Sequence, residues 1–222
     1  MAVDHDTSTS SATFTTVSPF SFNHTPVSTP SGVVVMVSQL DSSERISGIT
    51  YGGVALSNTV NGSDFADEVG HVYIFTRGTT IPDGTQSVAI THDGNAVIKH
   101  AVCVTLTAVG NITNMDAVST GDDQANPSLQ LFTPGAALAY GVFFSGHNDP
   151  ASIASGSNIT QLHSIDFGTS CAVYSRTTGA TVDPVVSWIA TSEDCAAAAA
   201  AMAQTVADTW RPPRTPRRKL YG

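Results

Sequence analysis

Short runs of β-branched and apolar residues recur from Phe14 onwards, and Gly, Pro, Asp or Asn closes each of them. Such runs favour strands, because β-branched side chains lose rotamer freedom in a helix and pack well on a pleated sheet. Many short strands at regular spacing are typical of a sandwich or barrel. The sequence therefore predicts an all-β fold, a jelly-roll-like antiparallel β-sandwich that spans residues 14–209.

The predicted strands lie near residues 14–17, 20–23, 33–39, 48–51, 54–57, 71–77, 86–91, 97–108, 128–132, 137–145, 164–167, 172–177 and 185–191. Val102, Val104 and Leu106 alternate with polar or small residues, with the period of two that a half-buried strand requires. Residues 33–37 are apolar on both faces and are predicted to form a central strand. The stretches 108–127 and 146–158 lack a strong pattern and are predicted to be exposed loops.

The alanine-rich segment 192–205 has two interpretations. Ser192 is a helix-capping residue, acidic residues follow it, and alanine is the best helix former. However, the segment directly follows a predicted strand that contains Trp188, and small side chains suit a strand where two sheet layers approach closely. The position favours a strand, and the helix stays open as the alternative.

The charge of the chain is divided between two parts. Residues 1–210 hold four basic and eighteen acidic side chains, a net charge of −14, whereas the last twelve residues hold five basic ones, or +5. Three prolines prevent a helix in residues 210–222, which are predicted to form a basic, extended C-terminal arm with a reach of about 40 Å. The residues predicted to bind partners are Arg211, Arg214, Arg217, Arg218, Lys219 and Tyr221.

Residues 1–13 are mostly Asp, Ser and Thr, a composition that does not order by itself, and they are predicted to form an N-terminal arm. A cationic arm on an acidic body predicts ordered self-assembly, in which the arm reaches carboxylates of a neighbouring copy. Only 12% of residues are charged, which also favours surfaces that partners cover. A disordered, solubilising tail that contacts nothing is the alternative.

The sequence lacks the residue patterns of catalysis and of metal binding. It has no Gly-x-Ser-x-Gly elbow, and its seven histidines are scattered without the spacing of a zinc site. The acidic residues at 64–68 and 122–123 do not form an EF-hand pattern. No apolar run of about 18 residues is present to cross a membrane. We expect no enzyme activity, no metal, no cofactor and no membrane partner.

Three further features limit the choice of partner. The three cysteines allow a Cys171–Cys195 bridge by parity alone, and this pairing is left open. Trp188 lies in an apolar run and is predicted to be a core residue, which weakens a lectin interpretation, although a glycan stays as an alternative partner. A body charge of −14 would repel DNA, so acidic neighbouring bodies are preferred over nucleic acid as partners of the tail.

Three segments carry a resemblance to a known module: Phe20-Ser-Phe-Asn-His24, Ser31-Gly-Val-Val-Val-Met-Val37 and Ile49-Thr-Tyr-Gly-Gly-Val-Ala-Leu56. With the Pro82-Asp-Gly84 turn and the closing Val186-Ser-Trp188, they resemble a β-sandwich module of tailed-phage structural proteins and of some bacterial surface proteins. The resemblance covers about residues 14–205. It implies a non-enzymatic assembly role in a virion and carries over no catalytic or ligand residues.

The expected function is therefore that of a structural protein of a tailed-phage particle, either a capsid decoration protein or a tail component. Its expected partners are copies of itself and other virion proteins. The alternative is a carbohydrate-binding or adhesive β-sandwich module. A hydrolase would require a histidine and a carboxylate together beside a pocket.

Overall fold

The computed structural model describes residues 3–15, 17–41, 43–63, 70–93, 97–108, 110–121, 128–132, 137–145, 152–153, 159–165, 170–176, 185–189 and 195–204. Every regular element in these ranges is a β-strand, and every strand pair is antiparallel. The predicted all-β, antiparallel fold is confirmed. The predicted C-terminal arm, with all six predicted partner-binding residues, lies outside the described residues.

The first half of the chain forms β1 (Asp4–Thr15), β2 (Phe20–His24), β3 (Gly32–Leu40), β4 (Ile46–Tyr51), β5 (Val54–Ala55), β6 (Ser57–Ser63), β7 (His71–Arg77), β8 (Gln86–His92) and β9 (Val97–Thr107). The second half forms β10 (Ile112–Gly121), β11 (Ser128–Gln130), β12 (Leu138–Ser145), β13 (Ser152–Ile153), β14 (Ile159–Ile165), β15 (Ser170–Arg176), β16 (Val185–Ile189) and β17 (Cys195–Gln204).

The two halves have the same strand order. In the first, an inner sheet has the order β1-β9-β3-β7-β6 and an outer sheet the order β2-β8-β4-β5. In the second, the inner sheet has the order β10-β17-β12-β15-β14 and the outer sheet the order β11-β16-β13. The two orders agree when β10 is matched to β1, β11 to β2, β12 to β3, β13 to β4, β14 to β6, β15 to β7, β16 to β8 and β17 to β9. Only β5 has no counterpart among the described strands of the second half. Each order is that of a jelly roll, a double antiparallel sheet with Greek-key connections.

The chain is therefore a tandem pair of jelly rolls, repeat 1 (residues 3–108) and repeat 2 (residues 110–204). Sequence reasoning expected one sandwich over residues 14–209. The difference has a physical cause, because the spacing of β-branched runs marks where strands lie and carries no information on which strands share a sheet.

The four sheets stack face to face, with the two inner sheets in contact. One apolar cluster lies between the outer and inner sheets of repeat 1, a second lies between the two inner sheets, and a third lies between the inner and outer sheets of repeat 2. Alternation along β3 shows the arrangement: Val33, Val35 and Val37 face the outer sheet, whereas Val34 and Met36 face repeat 2. The predicted central strand at 33–37, buried on both faces, is confirmed.

The contact between the two inner sheets, which we call the inter-repeat interface, joins strands of both repeats. β3 lies against its counterpart β12, β1 against β14, β9 against β15, β7 against β17 and β6 against β10. In addition, β6 contacts β17 and β7 contacts β12, whereas the corresponding pairs β14 with β9 and β15 with β3 make little contact. The contact is therefore more extensive on the side of β6, β7, β10 and β17, and it lacks the full two-fold symmetry of an isologous dimer interface.

The alanine-rich segment is a strand, which confirms the favoured interpretation of residues 192–205 as far as they are described. All of β17 from Cys195 to Ala203 is buried. Ala196, Ala198 and Ala200 face repeat 1, and the alternate alanines face the outer sheet of repeat 2. On that side Trp188 and Phe143 fill the space that the small side chains leave, with ring centroids 6.0 Å apart.

The predicted N-terminal arm is instead, from Asp4 onward, an edge strand. β1 pairs with β9 along its length, for example Thr7 with Thr105. The segment buries little apolar surface of its own, so its composition suggested a free arm, but β9 offers an unpaired edge whose backbone groups order it. Two predicted loops are corrected for the same reason: residues 112–121 form β10 on the edge of β17, and Ser152–Ile153 forms β13.

Strand register also decides the disulfide question. Cys171 of β15 lies opposite Phe143 of β12, and Cys195 of β17 lies opposite Ser145 of β12. Because β12 runs between the two cysteines, their Cα atoms are separated by about 9.5 Å or more, two strand spacings. A disulfide needs Cα atoms within about 7 Å. The Cys171–Cys195 bridge that parity allowed is therefore excluded.

Candidate interaction surfaces

The last described strand, β17, ends at the junction between the two repeats. Gln204 of β17 lies opposite Ile112, the first residue of β10. The Ile112 N–H donates a hydrogen bond to the Gly78 carbonyl oxygen at the end of β7, 3.0 Å away. The last described residue is thus held beside both repeats, at the Arg77 end of the repeat 1 inner sheet.

An open groove of about 490 Å³ lies at this junction, and we call it the junction groove. Its lining comprises Ser57, Asn58, Thr59, Thr76, Arg77, Gly78, Thr79, Ile112, Thr113, Asn114 and Met202. The Arg77 guanidinium donates to the carbonyl oxygens of Thr79, at 2.9 Å, and of Ala55, at 3.0 Å. The groove offers amides and hydroxyls with one cation, a set that suits hydrogen bonding to a polar ligand rather than proton transfer.

Sequence reasoning did not find the junction groove. Its residues come from four strands, β6, β7, β10 and β17, which the duplicated topology brings together. None of its segments carries a recognisable motif, so only the fold reveals it.

The opposite end of the repeat 1 inner sheet is acidic. Asp41 follows β3, and Arg45 there contacts the carboxylates of Asp41 at 3.3 Å and of Asp93 at 2.9 Å. Glu44 accepts a hydrogen bond from Asn61 nearby. Because β3 and β7 are antiparallel, with Gln39 opposite His71, this end lies one strand length from the junction groove. Among the described side chains at this end, three carboxylates lie near one guanidinium, and the described chain ends at the opposite end, at Gln204.

A buried chain of polar side chains ties β1 to β2 and β9. The Thr105 hydroxyl donates to an Asp6 carboxylate oxygen at 2.9 Å, and the two ring nitrogens of His24 lie 3.1 Å from Thr105 Oγ1 and 2.9 Å from Thr9 Oγ1. Asp6 also accepts the backbone N–H groups of Val27 and Ser28, each at 3.0 Å. These contacts anchor the edge strand that composition alone treated as an arm.

This network places a histidine near a carboxylate, the combination that a hydrolase would require. Burial lowers the pKa of His24 to about 4, although Asp6 acts in the opposite direction, so the ring is neutral at pH 7. His24 is fully buried and does not line the junction groove. The arrangement therefore acts as a structural tie and offers no site for a substrate.

Five large apolar side chains of the described residues are exposed: Val17 and Val27 in repeat 1, and Met115, Phe132 and Val185 in repeat 2. Phe132 is 67% exposed, and its backbone N–H donates to an Asp116 carboxylate oxygen at 2.8 Å. Met115 and Val185 are each 37% exposed. Trp188, in contrast, is fully buried, which confirms its prediction as a core residue and removes it as a platform for a sugar ring. The other tryptophan, Trp210, lies outside the described residues.

Two searches of the described residues complete the survey. In that part of the chain, no three histidine, cysteine, aspartate or glutamate side chains come together in a group that could hold a metal ion. The same residues include no helix that is long and apolar enough to cross a membrane. Comparison of the chain with protein-family models, with curated proteins and with solved structures finds no match.

Proposed function

We propose that this chain is a non-enzymatic structural component of a tailed-phage particle, in which it associates with copies of itself and with other virion proteins. The observation that carries the proposal is the polarity of charge along the molecule. The described part of the chain ends at Gln204, on the strand β17 that lines the junction groove and precedes the predicted basic arm, and the carboxylates of Asp41, Glu44 and Asp93 lie at the far end of repeat 1.

This polarity supports contacts between copies in which the arm of one molecule reaches the acidic end of the next. The arm's five basic side chains are Arg211, Arg214, Arg217, Arg218 and Lys219. A single exposed ion pair contributes only about 0 to 1 kcal/mol. Several such pairs made at once, over many copies and with prolines that limit the freedom of the arm, act together through effective concentration. The arm reaches about 40 Å, enough to extend beyond its own body.

The fold gives this role a second support. The two jelly rolls, joined through the inter-repeat interface, form a body in which the four edge strands of the inner sheets, β1, β6, β10 and β14, each have a single neighbour among the described strands. Such edges are places where another chain can pair. Jelly rolls recur in viral capsid proteins, an association of fold with role that supports the proposal by analogy alone.

Deletion of residues 211–222 is expected to leave the body folded and to abolish its incorporation into particles. The reason is that the truncation removes every basic side chain of the arm and none of the sheets. Incorporation is measured by quantitative mass spectrometry of purified particles assembled with either chain. As a matched control, an arm whose four arginines are changed to lysine keeps the charge and is expected to incorporate. Normal incorporation of the truncated chain would sink the proposal.

The junction groove favours one competing function, a carbohydrate-binding or adhesive module. Its amides and hydroxyls are groups that hydrogen-bond sugars. Under our proposal, the full chain gives no reproducible signal on a glycan array. A glycan signal that disappears with Asn58→Ala, a groove-lining change that keeps every basic residue of the arm, would favour the alternative.

A further inference from the structure

Histidines concentrate at one side of the inter-repeat interface, where β1 and β9 of repeat 1 lie against β14 and β15 of repeat 2. We call this side the histidine seam, and its described members are His5, Ser8, Ser38, His100, Tyr140 and His163. The centre of the inter-repeat interface is built from Val, Ile, Leu, Met, Ala and aromatic side chains, and the junction groove lies at its other side. Because histidines gain a proton as the pH falls, the stability of this contact depends on pH, whereas that of an apolar contact does not.

The two repeats contact each other directly across the seam. Ser8 Oγ of β1 lies 3.1 Å from His163 Nε2 of β14. His5 Nδ1 of β1 lies 3.2 Å from the hydroxyl of Tyr140 of β12, and the two rings are stacked with centroids 6.3 Å apart. A neutral imidazole suits both contacts, because its two nitrogens offer one donor and one acceptor.

His100 lies deepest in the seam and is 1% exposed. Its side chain lies on the same face of β9 as those of Val102 and Val104, which pack on repeat 2. Directly opposite it on β3 is Ser38, whose hydroxyl is buried and makes no hydrogen bond within the described residues. The described neighbourhood of His100 thus includes a buried hydroxyl and the ring of His163.

The charges around His100 and His163 favour their neutral forms. Burial, with a smaller contribution from the nearby His163, lowers the pKa of His100 to about 4; burial also lowers the pKa of His163. The titratable groups that the described side chains bring to the seam are His5 from β1, His163 from β14 and Tyr140 from β12. Asp6 of β1 contacts Thr105 and the His24 network, which belongs to the opposite face of the sheet. The side chains of β15 lie outside the described part.

We infer that the histidine seam is an acid-sensitive joint, at which protonation of His100 and His163 separates the two jelly rolls along β1, β9, β14 and β15. Two protonated rings at a buried contact repel each other and lose their hydration, whereas opening of the seam exposes both rings to water. The inference concerns the chain's own interface and does not depend on the proposed function.

The direction in which the population of the open seam changes with pH follows from the difference in histidine pKa between the closed and open states. A histidine whose pKa is depressed in the closed state stabilises that state fully above about pH 6.5, the ordinary value, and loses the contribution as the pH falls toward 4. With those two values, His100 alone is expected to raise the population of the open seam on the order of 50-fold between pH 7.5 and 4.5. His163 adds to this change in the same direction.

Hydrogen exchange of the full chain, followed by mass spectrometry between pH 7.5 and 4.5 and corrected for the intrinsic exchange rate, tests the inference. Peptides from β14 and β1 are expected to lose protection as the pH falls, while peptides from β8 and β16 in the outer sheets stay protected. His163→Gln keeps a hydrogen bond to Ser8 and is expected to move the loss to lower pH. His92→Gln, at a buried histidine outside the seam, is the control, and its β14 and β1 peptides are expected to lose protection at the same pH as those of the wild type.

Three results would overturn the inference: protection of β14 that persists to pH 4.5, loss of protection in β14 and β8 at the same pH, or equal shifts in the two variants. If His163→Gln fails to fold, an NMR titration of the histidine rings in the wild-type chain decides instead. His100 and His163 are then expected to titrate together with the loss of β14 protection. Titration of either ring near pH 6.5 without that loss contradicts the inference.

Discussion

Replacement of Trp188 by alanine is expected to lower the free energy of unfolding by about 3 to 5 kcal/mol, the usual cost of removing a buried tryptophan. Trp188 is fully buried on β16, stacks on Phe143, and is the largest side chain among those fully enclosed in the described core. Its ring also covers Gly141 of β12: a methyl group built on that glycine would lie 2.7 Å from the ring.

The cost should be high because neighbouring side chains cannot fill the cavity that the substitution leaves. In the inner sheet of repeat 2, β17 lies beside β12, and the alanines of β17 that face the outer sheet have no side-chain freedom to fill that cavity. Urea denaturation monitored by far-ultraviolet circular dichroism measures the change. Val185→Ala is the matched control, since Val185 lies on the same strand and faces outward, and it is expected to cost less than about 0.5 kcal/mol. Similar losses in the two variants would contradict the packing described for repeat 2.

Substitution of Gly78 by alanine is expected to cost about 3 kcal/mol or more, because no side chain fits at the junction of the two repeats. A Cβ at this position would overlap the carbonyl oxygen and carbon of Ile112. These atoms belong to backbone, so a rotamer change does not relieve the overlap, and β10 must move away from β7. That movement breaks the Ile112 N–H to Gly78 carbonyl hydrogen bond and opens the junction groove.

Gly48→Ala provides the control for this change. Gly48 lies on β4, its backbone does not require a positive φ, and a Cβ there meets no atom within 4 Å. Alanine at that position is expected to leave stability unchanged or to raise it slightly, because it restricts the unfolded chain. Equal stability of the Gly78→Ala and Gly48→Ala variants in a urea titration would show that the two repeats do not meet as described.

Local pattern predicted the strands well and their arrangement poorly. The run 71–77 matches β7 residue for residue, and the alternation of Val102, Val104 and Leu106 fixes which face of β9 packs on repeat 2. Both signals depend only on neighbours in sequence. The duplication into two jelly rolls, in contrast, depends on pairings between strands far apart in the chain, and the run lengths do not encode them.

The edge strands show a second limit. β1 and β10 are rich in Ser, Thr, Asp and Asn, and each is ordered by pairing with a longer apolar strand, β9 or β17. Their own composition therefore predicted an arm and a loop. The junction groove and the histidine seam were missed for a related reason, since their residues come together only through the inter-repeat interface. A histidine placed among alternating apolar residues, as His100 is on β9, was the one local signal available.

Sedimentation velocity of the purified chain tests the central claim most directly. In about 50 mM salt, the full chain is expected to form species larger than a monomer, and in about 500 mM salt it is expected to dissociate, because the Debye length falls below about 5 Å. A variant with glutamine at all five basic positions of the arm is expected to stay monomeric in both. A full chain that is monomeric at low salt, or a variant that assembles as well as the full chain, would contradict the account.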